Sequence, residues 1–188
     1  MSAGPTRSEH GPGPARRKTS AGPGPAGLRD GRAALLAGPL TGAALRSALV
    51  ELYDSWLAGV LTDRQDVALV AVGGLGRREP APHSDLDLVL LHRLAGRAGR
   101  DVAEVADSVW YPVWDAGIGL DHSVRTVAEA VAVARDDLKA ALGLLELRHL
   151  AGDPALSAAL REAAYASWRS ERRRRLPELR DASRERWQ

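Results

Sequence analysis

Apolar residues along this chain follow helical spacing in some stretches and strand spacing in others, and the pattern predicts most of its elements. Residues 28–61 have helical spacing that is broken once, at Gly38-Pro39. Thr41 is then a predicted N-cap. After it, apolar side chains recur at steps of three and four residues, at Leu45, Leu49, Leu52, Trp56 and Val60. We expect this second helix to pack against a sheet.

Two strands joined through a glycine turn are predicted at 67–72 and 85–91. Because neighbouring side chains of a strand point to opposite faces, Leu86 and Leu90 share one face of the second strand and Val89 lies on the other. A strand that is apolar on both faces is typically covered on both. The second strand is therefore predicted to be buried.

Three further helices and one further strand complete the predicted order. The ranges are a helix at 101–114, a strand at 119–125, a helix from 127 to about 150 and a helix from 154. Capping boxes support two of these helix starts, at Asp101 with Glu104 and at Thr126 with Glu129. Pro112 predicts a kink or an early end of its helix. The order favours an α+β fold, a small mixed three-stranded sheet with packed helices and C-terminal helices after it.

Composition divides the chain into a central part and two basic tails. Residues 1–27 are rich in Gly and Pro, which predicts a disordered tail. We expect a core at 28–126, a helical extension at 127–170 and an Arg-rich segment at 171–188. Residues 28–160 carry 13 basic and 18 acidic side chains. Because the basic excess lies in the tails, nucleic-acid binding is not expected.

The absence of cysteine excludes disulfides and thiolate metal sites and fits a reducing cytoplasm. No apolar run reaches the roughly 18 residues of a membrane span. The first residues also lack the apolar centre of a secretory signal. We therefore expect a cytoplasmic protein that does not bind membranes.

Two carboxylates stand at the start of the second strand. Asp85 and Asp87 lie on the same face as Val89, on a strand that should be covered. Close carboxylates repel each other and raise a pKa unless a cation lies between them. Hard oxygen ligands suit Mg²⁺, which also binds substrate phosphates. A strand edge with solvated acids is the alternative interpretation.

The glycine turn before these carboxylates has the composition of a phosphate-binding loop. Gly73 and Gly74 permit positive φ and a close backbone approach, and backbone N–H groups in such a turn can surround a phosphate. Arg77 and Arg78 add guanidinium donors that match phosphate geometry. A tight structural turn is the alternative here.

Together, Gly73-Gly74 and the later Asp85-Leu86-Asp87-Leu88 resemble the active-site signature of the DNA polymerase β-like nucleotidyltransferase superfamily. Residues 40–170 more narrowly resemble the N-terminal nucleotidyltransferase domain of the bacterial protein-PII uridylyltransferase family. The stretches that carry this resemblance are 73–79, 83–88, 114–117, 122–126, 137–138 and 147–153. Two positions depart from the family pattern, with Leu75 in place of an aromatic residue and Arg78 in place of Gly.

The resemblance implies an Mg²⁺-dependent enzyme that transfers UMP or AMP from UTP or ATP to a tyrosine of the PII nitrogen-regulatory protein and releases pyrophosphate. It implies that Asp85 and Asp87 hold the metal. The superfamily usually adds a third carboxylate from a neighbouring strand. Asp121, at the head of the third predicted strand, is the candidate, and Asp115 is its rival.

The same resemblance suggests how a triphosphate is held. Gly73, Gly74 and Ser84 would bind it, and Arg77 would neutralise it. Arg125 either reaches the nucleotide or pairs with a carboxylate. His83 and His122 are interpreted as hydrogen-bonding scaffold rather than metal ligands.

Family members carry additional domains, an HD phosphohydrolase domain that removes the transferred group and two ACT domains that sense glutamine. A chain of 188 residues is expected to be too short for them, and it contains no His-Asp dipeptide. We therefore expect neither removal nor glutamine sensing. Two alternatives stay open, a nucleotidyltransferase with another acceptor and an inactive NTP-binding regulatory fragment.

Overall fold

A computed structural model describes residues 24–61, 64–93 and 99–185 of the chain. Within them lie seven helices and four strands. In chain order these are α1 Pro25–Ala37, α2 Gly42–Val60, β1 Val67–Ala71, α3 Gly73–Gly76, β2 Leu86–His92, α4 Gly99–Asp115, β3 Leu120–Arg125, α5 Val127–Asp136, α6 Leu138–Leu145, β4 Arg148–Gly152 and α7 Pro154–Glu185. The predicted α+β class is confirmed.

The four strands form one mixed sheet in the order β3-β2-β1-β4. The strand β1 runs antiparallel to β2 and to β4, whereas β2 and β3 are parallel. One end of the sheet therefore gathers the beginnings of β2, β3 and β4 and the end of β1. The glycine turn of α3 and the acidic residues of β2 lie at this end.

Helices cover both faces of the sheet, and successive side chains of β2 point alternately into the two cores that result. Leu86, Leu88 and Leu90 are at most 1% exposed and face a core formed with α1, α2 and α4. Val89 and Leu91 face a second core formed with α5, α6 and α7. The prediction that this strand is buried on both faces is confirmed.

The helix predicted from 127 to about 150 is wrong in its second half. The capping box of Thr126 and Glu129 forms as predicted, but Asp137 then starts a new helix by accepting the backbone N–H groups of Lys139 and Ala140. The helix α6 ends at Leu145 and the chain continues as β4, a fourth strand that the apolar pattern does not predict. Pairing with β1 outweighs the local helical spacing, because a buried strand offers both backbone partners and an apolar face.

Smaller differences concern helix ends and tails. The helix α4 starts at Gly99, so Asp101 lies in its first turn rather than at the N-cap, and it ends at Asp115, soon after Pro112. Residue 154 does begin a helix, with Asp153 capping the N–H of Ala155 at 2.8 Å. Most of the predicted tail at 1–27, most of the connection at 93–100 and residues 186–188 lie outside the described residues.

The Arg-rich segment is not simply a solvated surface. The helix α7 runs unbroken through it to Glu185. Arg175 is 2% exposed and donates to the carbonyl of Ala134 and, at 3.0 Å, to Glu178. Arg175 is therefore packed against α5 and is not part of an exposed helix face. None of the helices in the described ranges has the length and apolar character needed to cross a bilayer.

Candidate functional site

Three carboxylates line one edge of the sheet face covered by α5, α6 and α7. Asp87 of β2 and Asp121 of β3 are register partners on adjacent parallel strands, so their side chains point to the same face at a Cα spacing of about 4.8 Å. Asp85 immediately precedes β2 and shares that face. The strand pairing thus unites two aspartates that are far apart in sequence.

Two glycines leave the space that these carboxylates occupy. A Cβ placed on Gly73, which has φ +56°, would overlap the carboxylate of Asp87. A Cβ placed on Gly119 would overlap that of Asp85. Any other residue at Gly73 would also be strained by its left-handed backbone. The glycines therefore allow the backbone to approach the carboxylates of Asp85 and Asp87 closely.

Burial raises the pKa of the Asp87 carboxyl, and the charges of Asp121 and Asp85 raise it further. The ammonium of Lys139 and the backbone N–H of Gly74 act in the opposite direction. The charged form of Asp87 is therefore less favourable in this position than in water. The electrostatics favour a bound cation beside it.

The donors fit Mg²⁺ held jointly with phosphate oxygens. In residues 24–61, 64–93 and 99–185, no three His, Asp or Glu side chains converge into a ready-made metal cage. Asp85, Asp87 and Asp121 instead form a carboxylate row of hard oxygen donors, and the first two fill the space left by the glycines. Mg²⁺ commonly takes only one or two carboxylates and completes its shell with water and substrate phosphates.

The glycine turn folds as the single helical turn α3. The N–H of Gly76 donates to the carbonyl of Val72 at 3.0 Å, and the N–H of Arg77 donates to that of Gly73 at 3.1 Å. Arg77 is half exposed and its guanidinium lies 3.1 Å from Glu146. The turn therefore lies next to the carboxylate row, and Arg77 stands at the C-terminal end of the turn.

Ser84 and Arg125 differ in how near they lie to this row. Ser84 directly precedes Asp85 and is exposed, with its hydroxyl donating to the carbonyl of Ala81 at 3.0 Å. Arg125 stands four residues beyond Asp121 on β3, which at about 3.3 Å per residue separates their Cα atoms by roughly 13 Å. The fold brings Ser84 to the site and places Arg125 at the other end of the strand.

His122 lies on the opposite face of β3 from Asp121. Its ring centroid is 5.0 Å from that of Trp110 and 5.3 Å from that of Trp114. His83 is exposed in the loop before the carboxylates. The aromatic contacts pack His122 against α4, on the face of β3 away from the carboxylates.

Sequence reasoning missed several residues around this site. Arg148 falls within the helix predicted from 127 to about 150, but it begins β4 and donates to Asp54 and to the carbonyl of Leu75. Lys139 and Gly119 were not singled out. Recognising β4 as a strand could have located Arg148, because the pairing of β4 with β1 places Arg148 opposite Ala71, next to the glycine turn.

Curated relatives are similar to this chain over most of its length. A bifunctional uridylyltransferase/uridylyl-removing enzyme of Streptomyces coelicolor is 53% identical over 168 residues, which are 87% of this chain and 20% of that protein. Enzymes of the same name from Mycobacterium tuberculosis and Corynebacterium glutamicum are 49% and 40% identical, over 76% and 70% of this chain and 18% of each relative. The chain thus spans about a fifth of their length. No protein-family model matches it.

Proposed function

Because this chain belongs to the family of bifunctional uridylyltransferase/uridylyl-removing enzymes over the fifth of their length that it matches, we propose that it is a nucleotidyltransferase domain. Its substrate would be a nucleoside triphosphate and its acceptor a protein. Within that class, the proposed reaction transfers UMP from UTP, or AMP from ATP, to a tyrosine of the PII nitrogen-regulatory protein.

The observation that carries the proposal is the alignment of Asp87 with Asp121 beside the turn at Gly73. A row of carboxylates next to a glycine turn can share divalent cations with a triphosphate. The raised pKa of Asp87 supports this use, since the ammonium of Lys139 does not fully offset burial and the neighbouring acids. A purely structural strand edge would not require a glycine opposite each of two carboxylates.

In the proposed reaction, the residues of the chain mainly orient the substrates. Asp85, Asp87 and Asp121 would hold Mg²⁺, which when bound supplies activation of the attacking oxygen and neutralisation of the leaving group. The N–H groups of the turn, with Arg77, would hold the triphosphate. The acceptor hydroxyl forms a bond to the α-phosphorus, the bond to the β-phosphate oxygen breaks, pyrophosphate leaves with the electron pair, and the hydroxyl proton passes to solvent. Catalysis of this kind depends on positioning and electrostatics.

The acceptor protein and the nucleobase of the donor are inferred from the names of the relatives and from the motifs. The name of the relatives supports a uridylyl group, and the resemblance of the motifs supports PII as the acceptor. Arg78 replaces a residue that is usually Gly in the family, next to the turn that would hold the nucleotide. Both UTP and ATP are therefore retained as donors.

Label transfer tests the proposal directly. The chain, Mg²⁺ and PII are incubated with UTP or with ATP labelled at the α-phosphate, beside a chain carrying Asp85→Asn and Asp87→Asn. We expect label on PII with the unaltered chain, none with the double variant, and none on a PII whose acceptor tyrosine is replaced by Phe. Label on a different acceptor would redirect the proposal. Calorimetric binding of the nucleotide without any transfer would favour a regulatory fragment instead.

A further inference from the structure

The glycine turn is held in place by an arginine from a distant part of the sequence. Arg148 is the first residue of β4 and pairs with Ala71, the last residue of β1, directly before the turn. Its Nη2 donates to the carbonyl of Leu75, inside the turn, at 2.9 Å. A backbone carbonyl of the turn is thus fixed by a side chain that lies 73 residues later.

The same guanidinium makes a bidentate ion pair with Asp54 of α2. Nη1 lies 2.7 Å from Oδ2 and Nη2 lies 2.8 Å from Oδ1. The two side chains are only 20% and 23% exposed. A two-pronged guanidinium–carboxylate pair fixes orientation as well as distance. The helix α2, the strand β4 and the turn are therefore joined in one geometry.

Arg78 connects the other end of the turn to this pair. Its backbone has φ +63°, a left-handed conformation that is unfavourable for a residue with a side chain. Its N–H donates to the carbonyl of Leu75 at 3.1 Å, and its Nη2 lies 3.4 Å from Asp54. The carbonyl of Leu75 and the carboxylate of Asp54 are thus each shared by Arg148 and Arg78.

We propose that Arg148, with Asp54 and Arg78, positions the glycine turn for the nucleotide. The three residues would set the direction of the N–H groups at Gly73 and Gly74 without touching the substrate themselves. This inference rests on the proposed function. Arg148 is accordingly a positioning residue, and its loss should weaken nucleotide binding more than acceptor binding.

Arg148→Lys tests this inference, because lysine keeps the charge but cannot span Asp54 and Leu75 with a planar fork. Transfer is measured with the NTP and the acceptor each varied, together with the thermal midpoint. We expect the KM for the NTP to rise about tenfold or more, with the KM for the acceptor unchanged. Asp54→Asn should shift the same constant in the same direction.

Arg161→Ala is the matched control. Arg161 also donates to a backbone carbonyl beside β4, that of Leu147 at 3.0 Å, but it has no bond to the turn. It should lower the thermal midpoint without changing the KM for the NTP. If the lysine variant does not fold, Asp54→Asn alone decides, and an unchanged KM for the NTP in that variant overturns the proposal.

Two results separate this inference from the proposed function. An active wild type whose Arg148→Lys and Asp54→Asn variants keep the normal KM for the NTP would overturn the positioning role alone. A wild type that neither transfers label nor binds Mg²⁺ with UTP or ATP would overturn the proposed function, and the positioning role with it.

Discussion

Asp87 on β2 and Asp121 on β3 are register partners in the parallel part of the sheet. Parallel neighbours point their side chains to the same face, so two acids face each other at a spacing of about 4.8 Å between strands. Asp87 is partly buried there, and burial together with the charge of Asp121 raises the pKa of its carboxyl. An arrangement that is unfavourable for the carboxylates by themselves is well suited to a cation with its phosphate ligand.

Asp87→Asn should remove transfer and leave the fold intact. Loss of a ligand for catalytic metal ions costs several kcal/mol of transition-state stabilisation, which at about 1.4 kcal/mol per tenfold corresponds to roughly 10²–10⁴ in rate. Steady-state transfer of the labelled nucleotide checks the first part. Transfer at the wild-type rate would contradict the assignment.

The same variant has an expected effect on stability. Because the pKa of Asp87 is raised in the folded protein, its contribution to stability is present at acidic pH and is lost as pH rises through the folded pKa. In EDTA near neutral pH, the asparagine variant should therefore melt above the wild type. Adding Mg²⁺ should raise the melting temperature of the wild type more than that of the variant.

Short apolar runs bounded by turn residues are enough to predict β1 and β2, and the alternation of side chains along a strand divides each run between two faces. The same alternation places Asp85 and Asp87 on one face of β2. The strand β4 cannot be read in this way, since residues 148–152 continue the spacing of the helix before them and become a strand through pairing with β1.

Parts of the site depend on contacts that no local pattern encodes. Arg148 and Asp54 are 94 residues apart and meet only because β4 and α2 pack beside the same turn. Gly119 looks like an ordinary residue before a strand, and its importance appears only when Asp85 fills the place of its missing Cβ. Asp121 is predicted from a family resemblance and a predicted strand start, and the register supplies its partner.

The left-handed backbone of Arg78 predicts a difference between two small replacements. Arg78→Gly and Arg78→Ala both remove the contact with Asp54, but only glycine adopts φ +63° without strain. The glycine variant should therefore be more stable than the alanine variant by about 1 kcal/mol. Urea unfolding of the two variants measures the difference. Equal stabilities would show that the turn changes conformation when the side chain of Arg78 is shortened.

His149 should make the stability of the protein depend on pH. Burial lowers its pKa, with Asp153 opposing the shift and Arg161 adding to it, and its Nδ1 lies 2.8 Å from the hydroxyl of Ser157. Because the unfolded chain takes up the proton first, the contribution of His149 to stability is fully present above pH of about 6.5 and is lost as pH falls below it.

His149→Gln keeps a hydrogen-bonding group at this position but does not titrate. The free energy of unfolding of this variant should change less than that of the wild type between pH 8 and pH 5.5, measured by urea unfolding in one buffer series. If the free energy of unfolding had the same pH dependence in both proteins, groups other than His149 would control the loss of stability at acidic pH.

Gly119→Ala should separate activity from stability. The new methyl group would overlap the carboxylate of Asp85, which is exposed and can rotate away at little cost in folding free energy. That rotation takes a proposed metal ligand out of the carboxylate row, and displacements of about 1 Å in a catalytic site can cost about 10²-fold in rate. Transfer rate and urea unfolding are measured on the same preparation.

Gly143→Ala is the control for Gly119→Ala, because it also adds one methyl group to a glycine near the site. Gly143 lies inside α6, and a Cβ there would meet Val72 at an ordinary 3.7 Å. Alanine should stabilise the helix by about 0.5–1 kcal/mol and leave transfer unchanged. If Gly119→Ala kept the wild-type rate, the exact placement of Asp85 would not matter for transfer. If it lost both rate and stability, the glycine would serve the fold rather than the carboxylate row.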